Sequence, residues 1–223
     1  MRLLHLALPV SDVAAVAGYF HDVLQLRVVG PHVHIGWSTI ELQPANDRPI
    51  GGVHLAFNVP DNRFAEATTW LRERTPLQRN PEGLDYFALE SSWQSQSVYF
   101  TGPDGLILEL IGRRRLPASD RQGRFHGSEL TCLSEVGLPS HDVDAVREQS
   151  SQRFGLRPIS PPSAHFAPMG DDEGLLIVVA ADRHWFPERK DLPNARGLQV
   201  QVGDVAGRGE LRDETLGWRV LAA

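Results

Sequence analysis

The chain opens on a dense hydrophobic run that predicts a β-strand over residues 2–10. Apolar residues then recur at helical spacing over residues 13–24, and Ser11 or Asp12 precedes them as a candidate N-cap. Short runs that alternate between apolar and polar residues predict three further strands, the last of which covers residues 38–43. The opening segment therefore predicts one βαβββ unit.

The same order of elements then repeats. A shift of 49 residues places His5-Leu6-Ala7 on His54-Leu55-Ala56. The last strand of the second unit aligns after a shift of 68 residues, which places Glu41 on Glu109. A third copy follows a shift of 130 residues, and a fourth begins at residue 197. Internal self-similarity of this kind indicates a fold built from repeated supersecondary units.

This repeat predicts an α+β fold with three parts. Residues 1–115 hold two βαβββ units, residues 116–128 form a linker rich in Arg, Gly, Ser and Pro, and residues 129–223 hold a degenerate third unit and a truncated fourth one. The C-terminal part repeats the apolar pattern but changes the polar positions. Glu135, Val178 and Gln199 stand there at the positions that match His5, Glu41 and His54 of the first two units.

The composition argues against several classes of protein. The 223 residues carry a formal net charge of −6, whereas a nucleic-acid partner requires a basic face. The basic run at residues 113–115 is interpreted as a solvated linker. The single cysteine excludes an internal disulfide and fits a reducing compartment. No apolar run reaches the ~20 residues of a membrane span, and we expect a soluble, cytoplasmic protein without a signal peptide.

Four polar side chains occupy matching places in the first two units: His5, Glu41, His54 and Glu109. If these units pair around a pseudo-twofold axis, each contributes one imidazole and one carboxylate to a common cleft. Such a donor set suits a divalent metal ion, with Zn, Ni, Mn, Co and Fe(II) as candidates. A lone histidine in an apolar strand is more often a core residue, and a lone glutamate usually faces solvent. Their recurrence at equivalent positions favours a metal site.

The segments RLLHLALPVSD, STIEL, GVHLAFNVPD and VYFTGPDGLILELI resemble the vicinal oxygen chelate superfamily. Its members include glyoxalase I, methylmalonyl-CoA epimerase, extradiol dioxygenases, and the fosfomycin- and bleomycin-resistance proteins. The resemblance implies paired βαβββ units in a curved, barrel-like mixed sheet, with helices on the outer face and a metal half enclosed. In glyoxalase I the ligands come from the first and last strands of both units. Those positions match His5, Glu41, His54 and Glu109 here.

The resemblance also implies a reaction class, a metal-dependent lyase or isomerase of the glyoxalase or epimerase type. Its substrate is expected to be a small molecule whose vicinal oxygens chelate the metal, and Glu41 or Glu109 is expected to move a proton. Extradiol dioxygenases and fosfomycin-resistance enzymes use two histidines and one glutamate, so Glu41 favours the lyase or isomerase. Four further side chains are candidates for substrate binding: Trp37, Asn58, Trp93 and Tyr99.

Two alternatives stay open. In a non-haem Fe(II) ring-cleaving dioxygenase, His5, His54 and Glu109 would form the metal triad, and Glu41 would be a bystander. In a ligand-binding protein of the bleomycin-resistance type, the cleft would sequester a small molecule without a metal, although the two histidines and Glu109 argue against this function. The C-terminal part is expected either to close the sheet or to mediate a homodimer.

Overall fold

The computed structural model describes residues 1–222 of the chain. The α-helices are α1 (Val13–Asp22), α2 (Phe64–Arg72) and α3 (Val143–Phe154). The strands, in chain order, are β1 (Arg2–Val10), β2 (Arg27–Val29), β3 (His32–Ile35), β4 (Ser38–Pro44), β5 (His54–Val59), β6 (Phe87–Leu89), β7 (Ser95–Thr101), β8 (Ile107–Arg113), β9 (Cys132–Ser140), β10 (Phe166–Asp171), β11 (Gly174–Ala180), β12 (Gln199–Gly203), β13 (Gly209–Asp213) and β14 (Trp218–Ala222). Within residues 1–222, none of the helices combines the length and the apolar character that crossing a membrane requires.

Aspartates begin the helices of the first and third units. The Asp12 carboxylate accepts hydrogen bonds from the backbone N–H groups of Ala14 and Ala15, at 2.9 and 3.0 Å, which confirms the predicted start of α1. Asp142 caps α3 in the same way through the N–H of Ala145. The repeat seen in the apolar pattern thus extends to the hydrogen bonds that begin the helices.

Each unit contributes one pair of parallel strands. The pairs are β1 with β4, β5 with β8, β9 with β11, and β12 with β14. The remaining strands of each unit extend its pair in antiparallel order. A βαβββ unit therefore makes half a sheet and leaves the outer edge of its first strand open for another unit.

The units join across the chain and not in sequence order. The first sheet has the order β13-β14-β12-β1-β4-β3-β2 and joins the first unit to the fourth. The second sheet has the order β10-β11-β9-β5-β8-β7-β6 and joins the second unit to the third. The expected pairing of the first two units is therefore wrong. Both sheets take strands from residues 1–115 and from residues 129–222, and the domain boundaries themselves stay a prediction.

The two sheets share one apolar cluster, which includes Leu6 of β1 and Phe57 of β5. A smaller cluster around Ile107 covers the opposite face of the second sheet. That sheet curls, so that Phe87 of its edge strand β6 contacts Phe186, which follows β11, with ring centroids 4.5 Å apart. The curved mixed sheet of paired βαβββ units is thus confirmed, and its concave face carries the candidate site.

Candidate metal centre

Three adjacent strands of the second sheet place polar side chains on its concave face. Ala56 of β5 lies opposite Glu109 of β8 on one side and opposite Glu135 of β9 on the other. His54 lies two residues before Ala56 and so shares its face. Because the side chain of Ala56 is a single methyl group, the space above it is open to the longer side chains of the neighbouring strands. The strand register thus brings together one imidazole and two carboxylates.

The ligand atoms of these three residues form a compact group. His54 Nε2 lies 3.5 Å from Glu109 Oε2 and 3.5 Å from Glu135 Oε2. One candidate ligand atom from each residue lies within 4.8 Å of the other two. No more than 6% of any of the three side chains is exposed. Imidazole nitrogen and carboxylate oxygen atoms in this arrangement could hold a divalent metal ion.

One buried cation accompanies the cluster. The Arg113 side chain is fully buried, donates a hydrogen bond to Glu135 Oε1, and has its Nη1 atom 3.9 Å from Asp172 Oδ1. The interpretation of residues 113–115 as a solvated linker is therefore wrong for the first of the three. Arg113 is the last residue of β8 and shares the face of Glu109, whereas the two arginines that follow it are exposed.

Burial and charge give the two carboxyl groups different proton affinities. Burial raises the pKa of Glu109 well above its usual range, and the negative charge of Glu135 raises it further. Burial also acts to raise the pKa of Glu135, but the hydrogen bond with His54 and the charge of Arg113 outweigh burial and lower this pKa. The donor set therefore fits a divalent cation. Arg113 balances the negative charge of one carboxylate, and a metal ion would balance the negative charge of the other.

An indole ring covers the imidazole of the cluster. The ring of Trp185 lies 5.0 Å from that of His54 between centroids, and its Nε1–H donates to the carbonyl of Gly52 at 2.8 Å. Gly137 of β9 leaves room for the indole, because an added Cβ there would lie 2.6 Å from Trp185 Cζ2. His54 Nδ1 has no hydrogen-bond partner within residues 1–222, so its Nε2 is the ring nitrogen that faces polar groups.

The three residues line a cavity of about 490 Å³ on the concave face. Much of the remaining wall is aromatic and includes Trp93, Tyr99, Phe166 and Phe186. A mostly apolar cavity with a few converging polar groups is typical of small-molecule sites. The structure thus places Trp93 and Tyr99 beside the cluster, and their contact with a substrate stays a prediction.

The other two predicted ligands lie on the first sheet. His5 of β1 and Glu41 of β4 face each other, with Nε2 and Oε2 3.2 Å apart and 33% of each side chain exposed. His54 and Glu109 belong to the second sheet, so the four side chains do not converge on one cleft. The common cleft is corrected for a physical reason: the first and second units hydrogen-bond to different partner units, which places their polar pairs on separate sheets.

The first sheet repeats the arrangement with one change of chemistry. Ala7 lies opposite Glu41 on one side and opposite Gln199 of β12 on the other. Gln199 thus occupies the position that Glu135 occupies beside Ala56 in the second sheet. The first sheet therefore presents an amide in place of a carboxylate and keeps its polar pair partly exposed.

The register also corrects one position in the third unit. Gly137 lies opposite Ile177, so Ile177, and not Val178, matches Glu109 of the second unit. Val178 instead belongs to the apolar cluster that the sheets share. The apolar run GLLIVVA has no polar residue to mark its register. For this reason the sequence alignment of the units was wrong by one residue in this strand.

Asn58 and Trp37 have partners within the protein and do not line the cavity. The Asn58 amide donates to the backbone carbonyl of Asp172 at 3.0 Å. The guanidinium of Arg2 lies 4.7 Å from the centroid of the Trp37 ring. Neither side chain lines the cavity, and their role in substrate binding stays a prediction.

Three residues in or beside the cluster are not predicted as site residues from the sequence: Arg113, Glu135 and Trp185. Glu135 has a detectable signal, because it matches His5 in the repeat. Arg113 and Trp185 have none, since their places depend on the contact between the second and third units.

Comparison with known proteins agrees with the architecture. No protein-family model matches the chain. Metallothiol transferase FosB from Staphylococcus epidermidis is 28% identical over 118 residues, which cover 48% of this chain and 78% of the relative. A candidate dioxygenase from Bacillus subtilis has a TM-score of 0.62 at 14% identity, covering 100% of this chain and 85% of that one. Glyoxalase I from Zea mays has a TM-score of 0.57 at 15% identity, covering 99% and 91% of the two chains.

Proposed function

We propose that this chain, which has the fold of the vicinal oxygen chelate superfamily, is a metalloenzyme whose divalent ion is held by His54, Glu109 and Glu135. The observation that carries the proposal is the convergence of one imidazole and two carboxylates, all buried, on the wall of a cavity. The donors stand on three adjacent strands, which are rigid supports for a site. Arg113 compensates one of the two buried carboxylates, and the other would be costly to keep ionised without a second cation.

The donor set favours Lewis-acid chemistry over oxygen activation. Non-haem Fe(II) oxygenases use two histidines and one carboxylate, whereas this cluster offers one histidine and two carboxylates. We therefore assign a lyase or isomerase activity of the glyoxalase or epimerase type, on a small substrate with vicinal oxygens. A bound divalent ion would polarise the chelating oxygens of such a substrate.

The side chains around the centre have separate tasks in this proposal. Glu109, buried beside the Tyr99 phenol, moves the proton at the substrate carbon next to the chelating oxygens. Glu135 remains a ligand in its ionised form, because Arg113 donates to it and His54 lies beside it. Exclusion of water by the aromatic wall strengthens each of these interactions.

Metal content tests the assignment of the ligands. The purified protein, reconstituted with Zn²⁺ or Mn²⁺ and dialysed, should retain metal, as measured by mass spectrometry of the ion. His54→Ala, Glu109→Gln and Glu135→Gln should each weaken metal affinity by at least about 100-fold, since each removes a direct ligand. The chain supplies matched controls on the first sheet, because His5→Ala and Glu41→Gln change the equivalent positions there. Unchanged metal content in all three second-sheet variants would overturn the proposal.

Turnover tests the reaction class. The metal-loaded protein should convert the hemithioacetal of methylglyoxal and a thiol, or exchange the proton next to a chelating carbonyl with D₂O. Glu109→Gln should abolish this metal-dependent turnover. Oxygen consumption with a catechol, on Fe(II)-loaded protein under the same conditions, would contradict the lyase or isomerase assignment.

A further inference from the structure

A half-buried arginine lines the same cavity without an acidic partner. Arg183 follows β11 and lies in the cavity wall. No carboxylate oxygen within residues 1–222 lies within 4.0 Å of its guanidinium nitrogens, and the nearby charge that acts on it is that of another cation, Arg189. Its sequence neighbour Asp182 is exposed. Burial first, and then the charge of Arg189, lower the pKa of Arg183. The guanidinium of Arg183 therefore has no salt-bridge partner in the described part of the chain.

An aromatic ring contacts this guanidinium. The guanidinium carbon of Arg183 lies 4.8 Å from the centroid of the Phe166 ring. Phe166 in turn lies against Trp93, with ring centroids 6.3 Å apart. A cation–π contact does not use the N–H groups of a guanidinium, which can still donate to a planar anion. The surroundings of Arg183 are thus typical of a ligand-binding arginine and differ from those of an arginine in a structural ion pair.

The arginine and the candidate metal centre stand on different parts of the concave face. Arg183 lies against β10 of the second sheet, whereas the three donors stand on β5, β8 and β9. Apolar side chains of the cavity wall, among them Ile177, Trp185 and Phe186, complete the face. A ligand that contacts the arginine therefore has an apolar environment for the rest of its body.

We propose that Arg183 binds the anionic group of an organic anion, such as a carboxylate, whose apolar or aromatic body lies against the rings of the cavity. This inference refines the proposed function by naming the class of substrate, since it concerns the same cavity. It does not depend on the metal, because the arginine and the rings belong to the protein alone.

Affinity for a matched pair of probes in metal-free protein tests this inference. 2-Naphthoate and 2-naphthamide have the same ring system and differ in charge. We expect calorimetric titration in EDTA to show tighter binding of naphthoate to the wild type. Arg183→Gln should reduce the ratio of the two affinities by about tenfold, as expected for loss of a charge-assisted hydrogen bond. Arg183→Lys, which keeps the charge but not the planar fork, should retain part of the preference.

Arg208→Gln is the control. Arg208 is exposed and lies outside the cavity wall, and its substitution removes the same unit of charge as Arg183→Gln. Its ratio of affinities should equal that of the wild type. The inference is overturned if Arg183→Gln keeps the wild-type ratio, if Arg208→Gln loses it equally, or if the wild type does not prefer naphthoate. None of these results bears on metal retention by the His54, Glu109 and Glu135 variants, so the two proposals fail separately.

Discussion

Arg113 shows how one buried side chain sets the charge of a site. Its guanidinium donates to Glu135 and lies 5.7 Å from the centroid of the Trp93 ring. Its Nε and Nη1 atoms have no hydrogen-bond partner within residues 1–222. Glu135 is therefore its principal partner. Against the effect of burial, the hydrogen bond with His54 and the charge of Arg113 lower the pKa of Glu135, whereas burial and the charge of Glu135 raise the pKa of Glu109.

Arg113→Met should lower the free energy of unfolding by roughly 3–5 kcal/mol, because Glu135 would stay buried without its cation. Urea unfolding followed by circular dichroism measures this change. Arg124→Met is the control, since Arg124 is an exposed arginine that pairs with Glu73 at the surface, where ion pairs contribute little. The double variant Arg113→Met with Glu135→Gln should recover part of the loss. A double variant as unstable as the single one would contradict this account.

At the scale of single elements, β9 supplies the candidate ligand Glu135 and the space that the Trp185 indole occupies over His54. Glu135 and Gly137 stand two residues apart and share one face of this strand. A Cβ at Gly137 would lie 2.6 Å from Trp185 Cζ2 and 3.1 Å from His54 Cβ. Neither atom belongs to a flexible side-chain end, because the indole is fixed by its bond to Gly52. The strand can therefore hold the indole over the imidazole only with glycine at this position.

Gly137→Ala should displace the indole, lower the free energy of unfolding by about 1–3 kcal/mol through overpacking, and weaken metal binding. Near-ultraviolet circular dichroism of the indole, together with metal content, measures the effect. Gly18→Ala is the matched control, because Gly18 lies in α1 with no heavy atom within 4 Å of an added Cβ. Alanine there should leave the site unchanged and slightly stabilise the helix. An unchanged indole spectrum in Gly137→Ala would contradict the packing argument.

The elements were largely predictable because their causes are local. The alternation of apolar residues marks β1 and β4, and Asp12 accepts the hydrogen bonds that begin α1. The repeat also predicted that polar residues recur at equivalent places on the strands, and His54 and Glu109 do lie together on one face.

The partner of each unit was not predictable, because every first strand offers a similar free edge. Nothing near His5 shows that β1 will pair with β12, which lies almost 200 residues further along the chain. The choice of β9 as the partner of β5 decides that Glu135 joins the cluster. It also buries Arg113, whose sequence neighbourhood resembles a linker.

At the scale of the whole molecule, each sheet takes strands from both the N-terminal and the C-terminal half of the chain. β1 and β5 hydrogen-bond to β12 and β9. The apolar cluster that joins the sheets includes residues from all four units. The first strand of each N-terminal unit therefore loses one of its two neighbouring strands when the rest of the chain is removed.

A fragment of residues 1–115 should show no cooperative thermal unfolding, since β1 and β5 would each expose an unpaired edge. Circular dichroism at increasing temperature measures this property. Addition of a fragment of residues 116–223 should restore a cooperative transition and metal retention. A fragment 1–115 that melts cooperatively and retains metal by itself would show that its two units can pair directly, contrary to the observed topology.

The presence of Gln199 where the other sheet has Glu135 has an evolutionary consequence. Codons for glutamine and glutamate differ by one nucleotide, so a single mutation would give both halves of the duplicated scaffold the same trio of donor types. The buried site of the second sheet can keep its donor set while the partly exposed equivalent on the first sheet accumulates substitutions. The duplication thereby provides a spare location from which a new specificity could arise without loss of the old one.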